Sequence, residues 1–263
     1  MAKKISVFGC GNMVQAIFWN FKNQADFYFY TPSLTRAKVM ADRLKGTVLE
    51  SIDQTPESDM IILGCKPQQF EHLSSKLKEY VTEKTVVISL LAGIPVHKIQ
   101  EGLGSSLVVR TMPNTPCLIS KGATTIYYDP AVPQKVREDV SLLFKEVSEV
   151  YCVDTENQLD YLAPFNGSGP AYIFELARIL TLKAQSQIPD KKLCDRLVKQ
   201  TILGAAELLY QSGDTPEVLR DKVTSKRGIT YEALQVLEKN HLQTIFDGAI
   251  DSAYERGKEL SRQ

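Results

Sequence analysis

Residues 5–14 read ISVFGCGNMV, and this stretch decides the fold class. Four strand-forming residues lead directly into Gly9 and Gly11, and the residues that follow have helical spacing. A glycine turn between a buried strand and a helix is the fingerprint of a dinucleotide-binding βαβ unit. Gly9 permits a tight turn, and Gly11 allows the backbone to approach a pyrophosphate. The N–H groups of Asn12 and Met13, at the start of the helix, are then predicted to face its charge.

The third glycine position of this fingerprint holds Val14. We therefore expect the helix to lie slightly further from the strand, unless Ala16 provides the close contact. A short glycine motif is also compatible with a structural turn that binds no ligand. The strand before it and the helix after it favour the cofactor-binding interpretation.

Short apolar runs alternate with helical segments through the first half of the chain. The predicted strands are residues 5–8, 27–30, 60–63, 85–90 and 107–110, and the predicted helices between them are 14–22, 35–44, 69–80 and 96–102. Further strands are predicted at 122–128 and 150–153, on either side of a helix at 133–147. Continuous apolar strands that alternate with helices predict a doubly wound, Rossmann-type α/β sheet of parallel strands.

From residue 158 onward the strand signals stop. The predicted helices are 171–187, 191–211, 216–223 and 231–262, the last interrupted near Asn240. They contain more Leu, Ile and Ala than helices lying on a sheet require, which predicts association with another subunit; an ordinary helical core is the alternative. We therefore predict a Rossmann domain at residues 1–157 and an all-helical dimerisation and substrate-binding domain at 158–263.

Composition narrows the classes of partner and the compartment. The 31 Lys and Arg residues balance 31 Asp and Glu, so no net field attracts nucleic acid or an anionic membrane, and a small-molecule partner is expected. We expect neither a signal peptide nor a membrane span. Five dispersed cysteines without a CxxC motif favour a reducing compartment, the cytoplasm. The three histidines have no metal-type spacing, so no metal is predicted.

The end of the second predicted strand indicates which dinucleotide binds. NAD-binding chains commonly carry a carboxylate there, about twenty residues past the glycines, to bind the ribose hydroxyls. This chain instead has Thr31 and Ser33, with Arg36 shortly after. Hydroxyls and a cation suit a ribose 2′-phosphate, so NADPH is favoured and NADH is the alternative. Arg36 is also compatible with a solvated helix residue.

Several further stretches together resemble the pyrroline-5-carboxylate reductases, which reduce a cyclic imine to proline with NAD(P)H. In family order, the matching stretches are LGCKPQ at 63–68, SLLAGI at 89–94, RTMPNTP at 110–116, GSGPAY at 167–172 and LRDKVTSKRGITYEAL at 219–234. The resemblance covers nearly the whole chain. It implies an NAD(P)-binding domain followed by a helical domain that interlocks in a homodimer, with dimers often assembled into a larger ring such as a decamer.

The resemblance also assigns cofactor contacts. The residues it places around the ribose and the nicotinamide are Cys65, Lys66, Pro67, Ala92, Gly93, Met112, Pro113 and Asn114. These turns follow predicted strands, and ligands of open α/β sheets lie beyond the carboxyl ends of strands, which agrees with the assignment. Pro113 also has a plain interpretation as a rigid loop residue.

The family's substrate loop, usually close to SPGGTT, corresponds here to SKRGIT at residues 225–230. The resemblance implies that backbone N–H groups along Ser225, Gly228 and Ile229 bind the substrate carboxylate and that the Thr230 hydroxyl contacts the ring nitrogen. Gly228 is expected to adopt the backbone angles that expose these N–H groups. Thr230 is therefore the residue we expect at the reacting group, although a simple helix N-cap is a second interpretation.

The loop departs from the family pattern at three positions. Lys226 replaces a proline, Arg227 replaces the first glycine, and Ile229 replaces a small residue or threonine. If that glycine needs a positive φ, arginine costs on the order of 1 kcal/mol; alternatively its guanidinium pairs with the carboxylate. The predicted activity is reduction of 1-pyrroline-5-carboxylate to L-proline by hydride transfer from NADPH. The alternatives are a reductase of another cyclic imine or small oxo acid, or a non-catalytic NADPH-binding paralogue.

Overall fold

The computed structural model of the chain describes residues 3–22, 25–105 and 107–262. The chain divides into two compact units. One contains the described residues up to Pro170 together with those from Ser252 onward, and the other is Ala171–Asp251. The boundary of 157/158 falls within a helix of the first unit and stays a prediction about domains.

The first unit is built on a sheet in which eight strands fall within the described residues. They are β1 (Lys3–Phe8), β2 (Ala25–Tyr30), β3 (Thr47–Val48), β4 (Met60–Leu63), β5 (Val86–Ser89), β6 (Val108–Met112), β7 (Gly122–Tyr128) and β8 (Ser148–Val153). Their order in the sheet is β3-β2-β1-β4-β5-β6-β7-β8. The strand order reverses at β1, which pairs in parallel with both β2 and β4, and this is the ligand-binding point of doubly wound sheets.

The sheet changes direction at its far end. β7 runs antiparallel to β6, and β8 runs parallel to β7. The connection between β6 and β7 covers residues 113–121 and forms a short 3₁₀ turn at Thr115–Ile119. A parallel crossover takes about a dozen residues or more, so this connection is too short for one.

The helices of the first unit cover both faces of the sheet. They are α1 (Asn12–Phe18), α2 (Thr35–Leu44), α3 (Phe70–Leu77), α4 (Val96–Leu103), α5 (Gln134–Lys145), α6 (Glu156–Asn166) and the end of α11 (Leu242–Arg262). Neighbouring residues of one strand enter different cores: Ile61 joins one apolar cluster and Ile62 the other. Burial on both faces explains why these strands are continuous apolar runs.

The second unit contains α7 (Gly169–Gln185) from Ala171, α8 (Lys191–Gln211), α9 (Pro216–Lys222), α10 (Ile229–Lys239) and α11 up to Asp251. Local signals set the helix starts. The Asp190 side chain accepts a hydrogen bond from the Leu193 N–H at 2.9 Å, and Thr215 caps α9 ahead of a proline. Within Ala171–Asp251, all of which is described, only Cys194 and Val198 are buried.

The predicted fold class is confirmed: a Rossmann-type sheet is followed by a helical region. The strands and helices predicted in the first half are present, with ends shifted by a few residues. Two elements were not predicted, the two-residue strand β3 and the helix α6. No helix in the described part of the chain is both long and apolar enough to cross a membrane. Among the same residues, no group of three or more His, Cys, Asp or Glu is placed to hold a metal ion.

Candidate active site

The turn after β1 has the tight geometry expected of its first glycine. Gly9 has a φ of 96° and its N–H donates to the carbonyl oxygen of Tyr30 at 2.9 Å. A Cβ at Gly9 would lie 2.5 Å from the backbone nitrogen of Cys65. Only glycine fits here, because both the backbone angle and the neighbouring chain exclude a side chain.

The close contact between α1 and the sheet is not the one expected from the sequence. Val14 is buried, and its Cγ2 occupies the space that a Cβ on Gly64 would fill. The small residue that the fingerprint usually places in the helix is thus supplied by Gly64, just after β4. Compensation by Ala16 was the expectation; Ala16 is buried too, but the close approach lies at Gly64.

Cationic and hydroxyl groups surround the glycine turn. The Arg36 Nη1 lies 4.0 Å from the position of a Cβ on Gly11, and its charge partly opposes the rise in the pKa of Cys10. No ion-pair partner of Arg36 is found within the part of the chain that the structure describes. Thr31 is 6% exposed, and its Oγ1 has no hydrogen-bond partner there either, while Ser33 is exposed. An unpaired cation and an orphaned hydroxyl beside a glycine cradle fit a nucleotide that carries an additional phosphate.

Two cysteines in this region have thiols of low reactivity. Burial raises the pKa of the Cys10 thiol to about 12 and that of the Cys65 thiol to about 11. Both thiols are therefore uncharged at neutral pH and poor nucleophiles. Any contact of Cys65 with a cofactor is a packing contact or a backbone hydrogen bond.

A cavity of about 260 Å³ lies in the first unit beyond the carboxyl ends of β5 and β6. Five predicted cofactor residues line it, contributed by three different segments: Met13, Ala92, Gly93, Met112 and Pro113. The remaining wall comes from the end of α6 with the turn after it, and from α11, and comprises Asp160, Ala163, Pro164, Gly167, Ser168, Ala253, Tyr254, Arg256, Gly257 and Leu260. The position agrees with the ligand site of open α/β sheets.

Two predicted residues lie elsewhere. Pro67 lines a separate cavity of about 600 Å³ between α3 and α4, and Lys66 is exposed. The Lys66 N–H donates to Gln69 Oε1 at 3.0 Å, which caps the 3₁₀ turn that follows β4. Their cofactor contacts stay predictions.

Asn114 is held by the protein through its side chain. Its Oδ1 accepts from the Ala123 N–H at 2.9 Å, and its Nδ2 donates to the carbonyl oxygen of Asn166 at 3.1 Å. Asn166 in turn donates to the carbonyl oxygen of Met112. The Asn114 amide thus anchors the loop after β6. Any contact of Asn114 with the cofactor would be made by its backbone. The sequence analysis did not predict a role for Asn166, because only the fold brings this residue next to the loop after β6.

A buried ionic cluster fixes α6 on the sheet. Arg110 of β6 is 1% exposed and pairs with Glu156 at 2.8 Å and Asp160 at 2.6 Å. Glu156 Oε1 also accepts from the N–H of Val96, the first residue of α4, at 2.9 Å. The cluster therefore ties β6 and the starts of α4 and α6 together beside the cavity. Two sequence features are consistent with this cluster, although it was not predicted: an arginine inside an apolar strand, and two carboxylates four residues apart.

The predicted substrate loop forms a turn in the helical unit. The Gly228 N–H donates to the carbonyl oxygen of Ser225 at 2.9 Å, and Gly228 is the N-cap of α10. The positive φ belongs to Arg227, at 58°, whereas Gly228 has a φ of −86°. The condition stated for Arg227 is thus met, because the residue at the family's first glycine position is the one with the positive φ. Glycine is favoured at position 228 because a Cβ would lie 3.0 Å from the Ser225 carbonyl oxygen.

The two residues after Gly228 open the helix. Ile229 is 94% exposed and is the first helical residue, and Thr230 is the second. The interpretation of Thr230 as the N-cap is therefore wrong. The first N–H groups of a helix have no acceptor within the helix and are available to an anion.

Family models match both parts of the chain. Residues 156–260 match the model described as pyrroline-5-carboxylate reductase dimerisation. Residues 4–93 match the one described as NADP oxidoreductase, coenzyme F420-dependent.

Relatives that match most or all of the chain share one description. The pyrroline-5-carboxylate reductase of Pseudomonas aeruginosa is 30% identical over 266 residues, covering 99% of this chain and 97% of that protein. Pyrroline-5-carboxylate reductase 1 of Bacillus subtilis is 36% identical over 206 residues, 78% of this chain and 69% of the relative. A pyrroline-5-carboxylate reductase structure from Coxiella burnetii superposes with a TM-score of 0.87, 31% identity and full coverage of both chains. The Plasmodium falciparum pyrroline carboxylate reductase with NADP bound has a TM-score of 0.87, 25% identity and 98% coverage of both.

Proposed function

The chain belongs to the pyrroline-5-carboxylate reductase family, and we propose that it reduces 1-pyrroline-5-carboxylate to L-proline with NADPH as the hydride donor. One observation of the structure carries the proposal. Five predicted nicotinamide and pyrophosphate residues converge on one cavity, next to a glycine turn with an unpaired arginine. Reduction of an imine requires two reactants held in line and shielded from water, and a lined cavity of this kind supplies both conditions.

The adenosine half of the cofactor is assigned to the turn after β1. The tight turn at Gly9, the space beside Gly11 and the N–H groups of Asn12 and Met13 suit the pyrophosphate. Thr31, Ser33 and Arg36 suit the ribose 2′-phosphate, which favours NADPH over NADH. We assign the ribose nearer the nicotinamide to Lys66 and Pro67, with Cys65 packing beside Gly9.

The nicotinamide half is assigned to the cavity. Ala92, Gly93, Met112 and Pro113 form its wall, and the backbone of Asn114 follows them. When bound there, NADPH supplies the hydride that reduces the imine carbon. The protein's contribution is to orient the ring and to keep water away from it, since apolar lining raises the strength of every electrostatic contact inside.

The substrate is assigned to the loop before α10. The N–H groups of Ile229 and Thr230 lie at the start of an 11-residue helix capped by Gly228 and suit the carboxylate, with the Ser225 hydroxyl beside them. The Thr230 hydroxyl hydrogen-bonds the ring nitrogen. A protonated imine is already a good electrophile, so the site needs no strong acid: the nitrogen keeps its proton as the carbon gains the hydride.

We extend the proposal to assembly and location. Residues 156–260 match a dimerisation model, and the helical unit exposes most of its large apolar side chains, which supports a homodimer. A larger ring such as a decamer follows from the family resemblance, and sedimentation tests it. The five cysteines are all free in the structure, which supports a reducing compartment, the cytoplasm.

The decisive experiment is NADPH oxidation by the purified protein with 1-pyrroline-5-carboxylate, followed by absorbance, with proline identified as the product. Thr230→Ala is expected to lower kcat/KM about tenfold or more, the value of a hydrogen bond to a charged group, with the Kd for NADPH unchanged. Thr244→Ala, in the first turn of α11, is the matched control and should stay within about twofold of the original chain.

The outcomes separate the alternatives. NADPH binding without turnover would favour a different cyclic imine or small oxo acid, or a non-catalytic paralogue. Turnover that is equal in Thr230→Ala and Thr244→Ala would remove Thr230 from the site while leaving the activity in place.

A further inference from the structure

Helix α6 contains a proline in its interior. Pro164 is buried, and the helix continues past it to Asn166. Proline has no N–H group, so it cannot donate the helical hydrogen bond to the carbonyl oxygen of Asp160, four residues earlier. The hydrogen-bonded pattern resumes after it, since the Gly167 N–H donates to the Ala163 carbonyl oxygen at 2.9 Å. The Asp160 carbonyl oxygen is thus left without its helical donor.

The residue that carries this carbonyl oxygen lines the cavity assigned to the nicotinamide. Asp160 and Pro164 are four residues apart, on one face of the helix, and both line the cavity of about 260 Å³. A proline opens a helix on the side that carries the ring, which turns the freed carbonyl outward on that side. The carboxylate of Asp160 is paired with Arg110 at 2.6 Å. The main-chain oxygen of Asp160 is therefore the acceptor available to a ligand in the cavity.

The ligand for such an acceptor must carry an N–H group. Much of the surrounding wall is apolar, including Met13, Ala92, Met112 and Pro113, and a carbonyl oxygen shielded from water needs a donor. A substrate carboxylate has only acceptor oxygens, and the ring nitrogen has been assigned to Thr230. The carboxamide of a nicotinamide ring has two N–H donors on a flat, otherwise apolar body.

We propose that the Asp160 carbonyl oxygen, freed by Pro164, accepts a hydrogen bond from the nicotinamide carboxamide and thereby sets the orientation of the ring. The inference rests on the proposed function, because it requires NADP(H) in this cavity. Asp160 is a positioning residue through its backbone, and Pro164 is one because it withholds a competing N–H. Replacing Pro164 restores the helical hydrogen bond and removes the acceptor.

The test compares nucleotide affinities by calorimetry. The ligands are NADP⁺, its 3-acetylpyridine analogue, in which a methyl replaces the carboxamide NH₂, and its thionicotinamide analogue, which retains the NH₂. In the original chain we expect the acetylpyridine analogue to bind about fivefold more weakly than NADP⁺, the value of one neutral hydrogen bond. In Pro164→Ala the ratio of the two Kd values should fall to about one, because NADP⁺ loses affinity. The thionicotinamide analogue should follow NADP⁺ throughout.

Two further variants keep the test interpretable. Pro164→Gly also restores the N–H and should give the same ratio without the helix propensity of alanine. Pro133→Ala removes an exposed proline at the start of α5 and should keep the fivefold ratio. The melting temperature should rise in Pro164→Ala while affinity for NADP⁺ falls, a combination that a purely structural proline does not produce.

Other outcomes contradict the inference. A ratio near one in the original chain, or the same ratio in the original chain and in both Pro164 variants, would show that the carbonyl receives no N–H from the ligand. Failure of the original chain to bind any of the three nucleotides would instead refute the proposed function itself.

Discussion

The two compact units differ in the burial of their leucines. In the unit that contains the sheet, helices cover both faces and the strands lie between two apolar clusters. In the helical unit only Cys194 and Val198 are buried within one chain, and leucines such as Leu203 remain 57% exposed. Leu142, on α5 of the first unit, is exposed to the same extent. Equal exposure in one chain thus has two meanings: scattered surface leucines are ordinary, whereas an apolar helical unit without a core needs a partner.

The largest expected effect separates these two leucines. Leu203→Glu places a carboxylate in the proposed dimer interface, and a two-fold interface contains it twice, so dimer stability should fall by on the order of 5 kcal/mol. Sedimentation of the purified variant should show monomers at micromolar concentration. Leu142→Glu is the matched control and should sediment as the original chain does. If both variants sediment alike, the comparison between the units fails.

The second prediction concerns the unit that contains the sheet. Arg110→Met leaves Glu156 and Asp160 beside the cavity without their cation, and we expect unfolding by urea to become easier by about 3 kcal/mol. Both carboxylates are about one-third exposed, and solvent screening keeps the loss at the lower end of that range. Lys135→Met breaks an exposed pair with Asp139 on α5 and is the control, with little change expected. Equal losses would mean that the Arg110 cluster is no more important than a surface pair.

The third prediction uses two residues that share one strained backbone angle, one in each unit. Arg227 has a φ of 58° in the substrate loop, and Lys45 has a φ of 55° at the end of α2. Replacing either by glycine should stabilise the protein by about 0.5 to 1 kcal/mol, measured as a rise in the melting temperature. Only Arg227→Gly should raise the KM for the imine, because it removes a cation from the loop that we assign to the carboxylate. A KM that responds to neither change would leave Arg227 a solvated surface residue.

The smallest effect concerns thiol reactivity within the first unit. Burial raises the pKa of Cys65 to about 11, so its thiolate is scarce at neutral pH and its alkylation rate should keep rising with pH up to about that value. Cys152 is exposed on β8 and should be labelled first, as mass spectrometry of briefly alkylated protein would show. Rapid labelling of Cys65 at pH 7 would contradict the closed packing around the glycine turn.

Much of the architecture was readable from local sequence patterns. The apolar runs predicted the strands because a strand buried on both faces has no polar side, and the glycine turn at Gly9 followed from its place between strand and helix. Helix α6 was missed because Pro164 and the glycines after it obscure its helical pattern. In the substrate loop the sequence raised a positive φ at Arg227 only as a condition, because residue types alone do not fix which residue of a turn adopts that angle.

The sequence by itself determined the fold class and the family and predicted the phosphate-binding residues, because the patterns behind each lie within short stretches of the chain. Only the tertiary structure decided that Gly64 makes room for Val14 and that Arg110 pairs with Asp160, contacts between residues about fifty positions apart. Such contacts depend on which strands become neighbours and how closely helices approach them. Packing of distant segments, unlike periodicity, is not visible in any short stretch of the chain.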